Sequence, residues 1–427
     1  MRLIDREQVD GAARLWGLQG FSVESVEIIK EPGSSERPVP ERWSKRIRLI
    51  DERKTHLCPC GSRDHEVLFE EAEERTFRDC SLGDFETYLV IRPKRLRCAT
   101  GSRVEVFAWA AEGHRMTKRF FERVAALCRT TTVQEVARMC RLSWDTTARV
   151  DADAIRLGLG GDEPALWKVR WIGVDEVSRT GGHVYFTIVT DLDSGRVLYI
   201  GDGKREEALV GFFEKLGRRG SRRIRGVVSD LAPSFLAVIG RYLPKALHAI
   251  DRFHIVMWAN EALNIIRRRV FGGAPKDGLG QELKVKKWIL LSAGESLEPE
   301  QKTLLRRLEE VNHPLYRAYL LKEQLRGLLH YQWKYFGALR RNLRNWCAAA
   351  KEADPALAKV AARLEAHVEK VVAGFNTGMR MGIVEAINGK IDLLRRQARG
   401  YSVVDYFKLK IFQRCSLPDD PWAAIIL

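Results

Sequence analysis

The chain has 427 residues, 45% hydrophobic and 30% charged, and is too long for one typical core of roughly 100–200 residues. Its 72 lysine and arginine residues outnumber its 56 aspartate and glutamate residues, which gives a net charge of +16 and a pI near 9.6. This imbalance favours a polyanionic partner, above all nucleic acid, over a merely basic cytosolic protein.

The first residues, MRLIDRE, lack the apolar segment of a secretory signal, and no stretch approaches the ~20 apolar residues of a membrane span. The sequence therefore predicts an intracellular protein without a membrane partner. Its eight cysteines are scattered rather than arranged as a dense framework. Metal binding or plain burial is expected for them instead of disulfides.

Residues 1–110 predict a small β domain, because short runs of alternating or β-branched residues are separated by turn signals. Strands are expected at 23–29, 46–50, 66–69, 85–92 and 104–107. Four cysteines of this domain are candidate zinc ligands: Cys58, Cys60, Cys80 and Cys98. The CPC motif is one residue tighter than a usual zinc knuckle, and His56 or His65 are alternatives to Cys80. A metal-free, degenerate β domain is the other interpretation.

Residues 111–160 predict a helix-turn-helix, because from 117 to 157 the apolar period becomes helical and indicates three helices. The segment 131–147 has an Ala-x₄-Leu-Ser rhythm, in which Ser143 is expected to cap the second helix of the motif. A helix hairpin used only for packing is the alternative. The residues expected to contact DNA are Arg119, Arg123, Arg129, Trp144, Thr146, Thr147 and Arg149.

After a linker at 160–164, residues 165–271 predict the first part of an RNase H-like catalytic core. Strands at 168–174, 183–190 and 196–200 form an antiparallel meander, and helices then alternate with short strands. Residues 272–371 predict a helical insertion, 372–415 the second part of the core, and 416–427 a C-terminal tail. The fold class is thus α/β. Aromatic and basic side chains of the insertion, such as Trp333 and Trp346, are interpreted as core aromatics among solvated arginines rather than as a contact to a DNA end.

Three carboxylates carry the chemical hypothesis. Asp175 and Asp230 each end an apolar strand, and Glu385 opens an amphipathic helix whose buried stripe leaves Glu385 and Asn388 facing a cleft. In an RNase H-like sheet the first and fourth strands are neighbours, which brings the two aspartates together. Such a site suits Mg²⁺ or Mn²⁺ and phosphodiester chemistry. Taken singly, a strand-end aspartate is more often a turn or helix cap, and a first-turn glutamate suits the helix dipole; the three together in this element order favour a shared site.

Four further residues are accessory candidates. Strand alternation points Glu176 away from Asp175, so Glu176 is only a fallback ligand. Asp251 and His254 follow a short strand; a helix cap by Asp251 is favoured over a direct role, and both are retained beside Asn388.

Six ordered segments resemble the successive blocks of the ISL3 family of bacterial insertion-sequence transposases. They are IGVDE at 172–176, VSDLAPSF at 228–235, DRFHIV at 251–256, YLLKEQLR at 319–326, EAINGKI at 385–391 and YFKLK at 406–410. The resemblance implies a DDE transposase with Asp175, Asp230 and Glu385 as its metal-binding triad. It also implies an N-terminal zinc finger and helix-turn-helix, although the second zinc knuckle near Cys98 is incomplete.

The predicted function is binding of the terminal inverted repeats of an insertion sequence, followed by metal-dependent cleavage and transfer of DNA strands. The expected partners are double-stranded DNA, at the element ends and at the target, and further copies of the chain, since two ends must be held together. The expected location is the bacterial cytoplasm, at the nucleoid when DNA is bound. A structure-selective RNase H-like nuclease and a non-catalytic DNA-binding protein are the alternatives.

Overall fold

A computed structural model of the chain describes residues 18–31, 42–159, 166–180, 184–271, 287–376, 379–398, 401 and 403–416. The predicted linker at 160–164 lies outside these residues. Those up to Gly158 belong to one compact unit and those from Leu159 onward to another. No helix in this described part of the chain is long and apolar enough to cross a bilayer.

The first unit begins with two small sheets. A four-stranded sheet has the order β1-β2-β5-β4 and a three-stranded sheet the order β3-β6-β7. Their strands are β1 (Phe21–Glu31), β2 (Arg42–Asp51), β3 (Val67–Glu71), β4 (Arg75–Leu82), β5 (Phe85–Ile91), β6 (Lys94–Cys98) and β7 (Gly101–Val104). The prediction missed β4 and β6, and the strand expected at 104–107 was wrong because β7 ends at Val104. Arginine and lysine residues interrupt the apolar pattern of both missed strands.

Three helices complete the first unit, as predicted: α1 (Lys118–Thr130), α2 (Val133–Cys140) and α3 (Trp144–Leu159). Arg141, at φ 53°, ends α2 in the left-handed region and turns the chain toward α3. The Ser143 hydroxyl accepts a hydrogen bond from the Thr146 backbone N–H at 3.1 Å, which is the cap expected from the sequence. Val124, Val136 and Val150, one from each helix, share a buried cluster.

The second unit is built on a five-stranded mixed sheet with the order β10-β9-β8-β11-β12. Its strands are β8 (Trp171–Ser178), β9 (Tyr185–Asp191), β10 (Val197–Asp202), β11 (Gly226–Ser229) and β12 (Leu247–Ile250). β8, β9 and β10 form the predicted antiparallel meander, whereas β11 runs parallel to both β8 and β12. The connecting helices are α4 (Glu206–Ser221), α5 (Pro233–Tyr242) and α6 (Arg252–Phe271). Short 3₁₀ turns lie at Leu166–Lys168 and Gly294–Ser296.

A helical segment follows α6, as predicted. It contains α7 (Lys287–Leu291), α8 (Pro299–Val311), α9 (His313–His330), α10 (Phe336–Ala353), α11 (Pro355–Ala366) and α12 (Val368–Asn376). These helices share one large apolar core with α6, in which Trp346 is buried and its indole N–H donates to the Leu321 carbonyl at 2.7 Å. The predicted domain boundary at 371/372 falls inside α12.

The last two helices, α13 (Gly382–Gln397) and α14 (Val404–Cys415), return to the sheet. Ile387 and Ile391 of α13 pack with Phe407 of α14 and with Phe186 of β9. A Cβ atom on Gly173 would lie only 2.4 Å from Val384 Cγ2, so the bare glycine lets α13 approach β8 closely. This contact fixes the position of the helix that carries Glu385.

Candidate functional site

Asp175 and Asp230 lie next to each other at one end of the parallel strand pair. Val174 of β8 is in register with Ser229 of β11, and an aspartate follows each of these two residues. Asp175 is buried and Asp230 is half-buried. The adjacency expected from the sequence is therefore present.

Asp175 is the meeting point of three elements. Its Oδ2 accepts a hydrogen bond from Asn388 Nδ2 of α13 at 2.6 Å, and its Oδ1 accepts one from the Glu176 backbone N–H at 2.8 Å. The His254 Nε2 of α6 lies 3.6 Å from the same Oδ1. Asn388 and His254, two accessory candidates, thus face the first carboxylate directly.

Asp230 combines a capping contact with an acidic environment. Its Oδ1 accepts a hydrogen bond from the Ala232 backbone N–H at 3.0 Å, just before α5 begins. Burial raises the pKa of Asp230, and the negative charge of Asp175 raises it further, against the opposing effects of the Ala232 hydrogen bond and of the positive charges of His254 and Arg363. Burial is therefore the main reason that the pKa of Asp230 rises.

Asp251 caps α6, as the sequence favoured, because its Oδ1 accepts a hydrogen bond from the Phe253 backbone N–H at 3.0 Å. Burial raises the pKa of Asp251, and the charges of Asp175 and Glu385 add to that rise. Burial alone would lower the pKa of His254, but the Asp175, Asp251 and Asp230 carboxylates outweigh burial and raise it. Asp251 thus belongs to the cluster while acting as a cap.

Glu385 lies in the first turn of α13 and is exposed. It stands one helical turn before Asn388, and its charge reaches Asp251. Among the described residues, two other groups bring three or more ligand atoms within 4.8 Å of one another, and the three candidate carboxylates are not one of these groups. Asp175 and Asp230 follow paired residues of neighbouring strands, but the three carboxylates together do not come within that distance.

Glu176, the fallback ligand, has a carboxyl that is influenced by the acidic site. Its carboxyl is half-buried, and burial followed by the negative charge of Asp230 raises its pKa. The charge of Asp230 therefore acts on Glu176, and its role as a fallback ligand stays a prediction.

The donor set suits a hard divalent cation. The Oδ1 of Asn388 is buried and has no hydrogen-bond partner among the described residues, while its Nδ2 is held by Asp175. An unsatisfied oxygen beside two neighbouring carboxylates matches the oxygen ligands that Mg²⁺ and Mn²⁺ prefer. The residues present fit such an ion.

The start of α3 presents part of the predicted DNA-contacting set. Trp144 and Arg149 are exposed and Thr146 is half-buried. Thr147 is fully buried and its Oγ1 donates to the Ser143 carbonyl at 2.9 Å, so its prediction as a DNA contact was wrong. Thr147 faces the helix core because it lies one position past the exposed side of α3.

Two of the predicted arginines of α1 keep exposed or half-exposed positions, Arg123 and Arg129. Arg119 differs, because its Nε donates to Asp79 Oδ1 at 2.7 Å and a terminal nitrogen binds Asp79 Oδ2. Asp79 is fully buried, so it needs this cation. Arg119 is therefore an ion-pair partner within the fold, and its role as a phosphate contact stays a prediction.

Three cysteines and one histidine form a compact cluster: Cys58, Cys60, His65 and Cys98, whose ligand atoms all lie within 4.8 Å of one another. Hydrogen bonds from Thr100, first from its backbone N–H, lower the pKa of the Cys98 thiol to about 6. Three thiols and an imidazole are a ligand set typical of structural metal sites. The cluster therefore fits a zinc ribbon.

Cys80 is not part of this cluster. It lies on β4 and packs against the core of α1, α2 and α3, where burial raises the pKa of its thiol. His65, which the sequence offered only as an alternative, stands in its place, with Nε2 3.1 Å from Cys60 Sγ. The Cys-x₄-His spacing of Cys60 and His65 is the signal in the sequence that would have favoured His65 over Cys80.

A second acidic group near this cluster is already neutralised. Asp51, His56 and Glu105 lie close together, but Arg53 donates to Asp51 at 2.8 and 2.7 Å and to Glu105 at 2.5 Å. The Arg53 guanidinium also lies 4.5 Å from the Phe21 ring centroid. This buried network therefore has its cation within the chain.

Two family models match the chain. One, described as a transposase domain of the ISL3 family, covers residues 172–411, and the other, described as the helix-turn-helix domain of transposase family ISL3, covers residues 105–155. The chain belongs to the ISL3 family of transposases.

Curated relatives of the transposase agree. It is 30% identical over 415 residues, 96% of its own length and 98% of the relative's, to the transposase for insertion sequence element IS1001 of Bordetella parapertussis. It is 31% identical over 355 residues, 77% of its length and 78% of the relative's, to the transposase for insertion sequence element IS1557 of Mycobacterium tuberculosis. The predicted family, the helix-turn-helix and the function as an insertion-sequence DNA transposase are confirmed. Membership of a DDE family also implies the use of divalent metal ions.

Proposed function

We propose that Asp175, Asp230 and Glu385 form the metal-binding triad with which the transposase cleaves DNA at its element's ends and joins the freed 3′-hydroxyl to target DNA. The observation that carries this proposal is the Asn388–Asp175 hydrogen bond, which joins residues 213 positions apart. It brings the helix of Glu385 to the strand of Asp175, whose neighbour in the sheet leads into Asp230.

The catalytic domain is inferred to have an RNase H-like fold. Three antiparallel strands followed by two parallel ones, in the order β10-β9-β8-β11-β12, support this inference. So does the position of the two aspartates on the central neighbours β8 and β11. The helical segment before α13 is then an insertion into that fold, as the sequence predicts.

Divalent metal ions, when bound, polarise the attacking and leaving oxygens of the phosphodiester. The chain's own residues prepare that site. Asn388 and His254 hold the Asp175 carboxylate from two sides, and the backbone N–H of Ala232 orients Asp230. The nearby acids of Asp251 and Glu176 add to the negative charge that would attract the cations, for which Mg²⁺ or Mn²⁺ is proposed.

Recognition of DNA is assigned to the first unit. Trp144, Thr146 and Arg149 lie at the start of α3, the second helix of the helix-turn-helix, where base edges are usually contacted. Arg123 and Arg129 are proposed to bind phosphates. The DNA sequence bound is proposed to be the terminal inverted repeat. The Cys58, Cys60, His65 and Cys98 cluster is proposed to hold a structural zinc ion.

At least a dimer is proposed for the active assembly. Transposition requires both ends of one element to be held together while each is cut. Two copies of the chain, each with one helix-turn-helix and one acidic site, meet this requirement.

The test uses DNA carrying the element's end repeats, incubated with and without Mg²⁺. Asp175→Asn, Asp230→Asn and Glu385→Gln are each expected to abolish strand cleavage and joining while DNA affinity stays unchanged. Glu214→Gln, at an exposed carboxylate of α4, is the matched control and should keep full activity.

Full cleavage by any of the three triad variants would contradict its assignment. A wild-type protein that cuts without joining would point to a structure-selective nuclease. One that only binds would point to a DNA-binding protein without catalysis.

A further inference from the structure

Three of the exposed aromatic side chains of the second unit lie at the start of α6 or in the turn between α9 and α10. Phe253 in the first turn of α6 is 50% exposed, Tyr331 just after α9 is 62% exposed, and Tyr335 just before α10 is 78% exposed. Large aromatic rings usually bury most of their surface, because each is worth several kcal/mol, roughly 3–5, in a core. Rings left in solvent are therefore candidates for binding a partner.

The turn that carries Tyr331 and Tyr335 is held in place by its own contacts. The Tyr331 backbone N–H donates to the Gly327 carbonyl at 3.0 Å, and the Trp333 indole N–H donates to the Leu328 carbonyl at 2.9 Å. The Tyr331 and Trp333 rings meet edge to face with centroids 4.8 Å apart. The exposed ring of Tyr331 is thus preorganised, which lowers the entropy cost of binding.

This turn is joined to the acidic cluster by one arginine. Arg252 follows Asp251 and precedes Phe253, and its guanidinium donates to the Leu329 carbonyl at 3.2 Å and to the Gly374 carbonyl at 3.1 Å. Tyr331 lies two residues beyond Leu329. Phe253 and Tyr331 are therefore each within two residues of the hydrogen bond between Arg252 and the Leu329 carbonyl.

The surrounding segment is strongly basic. Between Gly327 and Ala350 there is no aspartate or glutamate, whereas four positively charged residues occur: Lys334, Arg340, Arg341 and Arg344. Arg340 is paired with Glu369, and Lys334, Arg341 and Arg344 are exposed. Positive charge beside open aromatic faces is the combination with which proteins hold unpaired nucleic-acid strands.

We propose that Phe253 and Tyr331 form a stacking surface for an unpaired base of the DNA strand that enters the acidic site, with Tyr335 at its outer edge and Lys334 near the phosphates. The inference rests on the proposed role of Asp175, Asp230 and Glu385. An unpaired strand is the occupant because the bases of an intact duplex already stack on one another and offer no free face. The acidic site would then bind the phosphate that reacts, and the aromatic surface would position the base next to it.

The experiment measures binding by the full-length protein in buffer without Mg²⁺, in an Asp175→Asn background, so that no strand is cut. The probes are a 30-base-pair duplex with a six-nucleotide single-stranded 3′ tail and the same duplex with blunt ends. Tyr331→Ala and Phe253→Ala are each expected to weaken binding of the tailed duplex by roughly 10-fold, the order of one lost base–aromatic stack. Binding of the blunt duplex should not change.

Tyr331→Phe keeps the ring and should bind like the parent protein. Trp288→Ala removes another exposed aromatic, on α7, and should also bind normally. A 2-aminopurine in the tail should lose fluorescence on binding to the parent and regain it with Tyr331→Ala. Unchanged affinity of both alanine variants for the tailed duplex, or equal losses on both probes, would overturn the proposal. Because no cleavage is measured, failure of the triad assignment would appear separately, in the Mg²⁺ assay.

Discussion

The two polar atoms of the Asn388 side-chain amide differ in their hydrogen bonding. Nδ2 donates to Asp175, which fixes the orientation of the side chain, and Oδ1 is left buried without a partner among the described residues. Leaving a buried acceptor unsatisfied costs free energy, on the order of 1–3 kcal/mol. This cost is recovered if a ligand, such as the proposed metal ion, contacts Oδ1 during catalysis.

Asn388→Ala is expected to lower the rate of Mg²⁺-dependent cleavage by roughly 10- to 100-fold, because loss of an outer hydrogen bond to a metal-ligating carboxylate usually has that effect. DNA affinity should be unchanged. Cleavage rates measured over a series of Mg²⁺ concentrations test this, with the exposed Asn345→Ala on α10 as the control. Cleavage by Asn388→Ala at the rate of the control would show that Asp175 does not need this donor.

Substitutions of Arg119 and Arg149 are expected to have different effects, one on stability and the other on DNA binding. Arg119→Ala leaves the buried Asp79 carboxylate without its cation and is expected to lower the free energy of unfolding by about 3 kcal/mol. Arg149→Ala, at an exposed position of α3, should change unfolding by less than about 0.5 kcal/mol yet weaken DNA binding and reduce its salt dependence. Urea unfolding and DNA titrations at several salt concentrations distinguish the two, and the opposite pattern would support Arg119 as a DNA contact.

These residues show what the sequence could and could not predict. The adjacency of Asp175 and Asp230 was predictable, because a charge at the end of an apolar strand must be paired, hydrogen-bonded or bound to a metal. Arg119 was not, because its partner Asp79 is 40 positions away and no local pattern links them. The burial of Thr147 was missed because the rotation of a helix about its axis is set by packing against its neighbours, which the sequence does not show.

The contact between α13 and β8 depends on a missing side chain. Gly173 leaves the space into which Val384 packs, so the glycine in IGVDE serves the fold rather than the chemistry. The same helix carries Glu385 and Asn388. A substitution at Gly173 should therefore shift Glu385 and Asn388 relative to Asp175.

Gly173→Ala is expected to cost about 1–3 kcal/mol of stability, because its Cβ would lie 2.4 Å from Val384 Cγ2, and to lower cleavage as α13 shifts. Val384→Ala in the same chain should recover part of both losses by making room. Thermal unfolding and cleavage rates are measured together. Gly240→Ala on α5, where an added Cβ meets nothing within 4 Å, is the control. If the double variant is no better than the single one, the contact does not set the helix position.

The elements themselves were largely predictable. The order of strands and helices from β8 to α6 was predicted correctly. The strands β4 and β6 were missed, because charged residues such as Arg78 occupy positions that look exposed from the sequence but are buried. Residue-type patterns cannot show that a charge is neutralised inside the fold.

The transposase as a whole is expected to bind one zinc ion per chain through the cluster of the first unit. Metal analysis of the purified protein should give that ratio. Cys58→Ser should lose the zinc and destabilise the first unit. Cys80→Ser, at a cysteine outside the cluster, should keep it. Zinc-free wild-type protein, or equal losses in both variants, would show that the ribbon folds without metal.

Charge and the order of the sequence blocks were enough to predict a DNA-binding transposase. The ligands of the zinc cluster were harder to predict from the sequence. They are spread from residue 58 to residue 98 and meet only when β6 and β7 form a hairpin beside the CPC motif. The exposed ring of Tyr331 was not predicted at all. An aromatic residue beside Trp333 looks like core until the packing is known.

The hydrogen bond between Asp175 and Asn388 also sets an order of events during protein synthesis. At about 5–20 residues per second, a ribosome needs roughly 10–40 s to add the 213 positions between them. Before that, the described residues of the first unit, which have their own apolar clusters, have all been synthesised. We expect a chain interrupted before α13 to occupy DNA ends without being able to cut them. Prematurely ended copies would then compete with full-length transposase and limit how often the element moves.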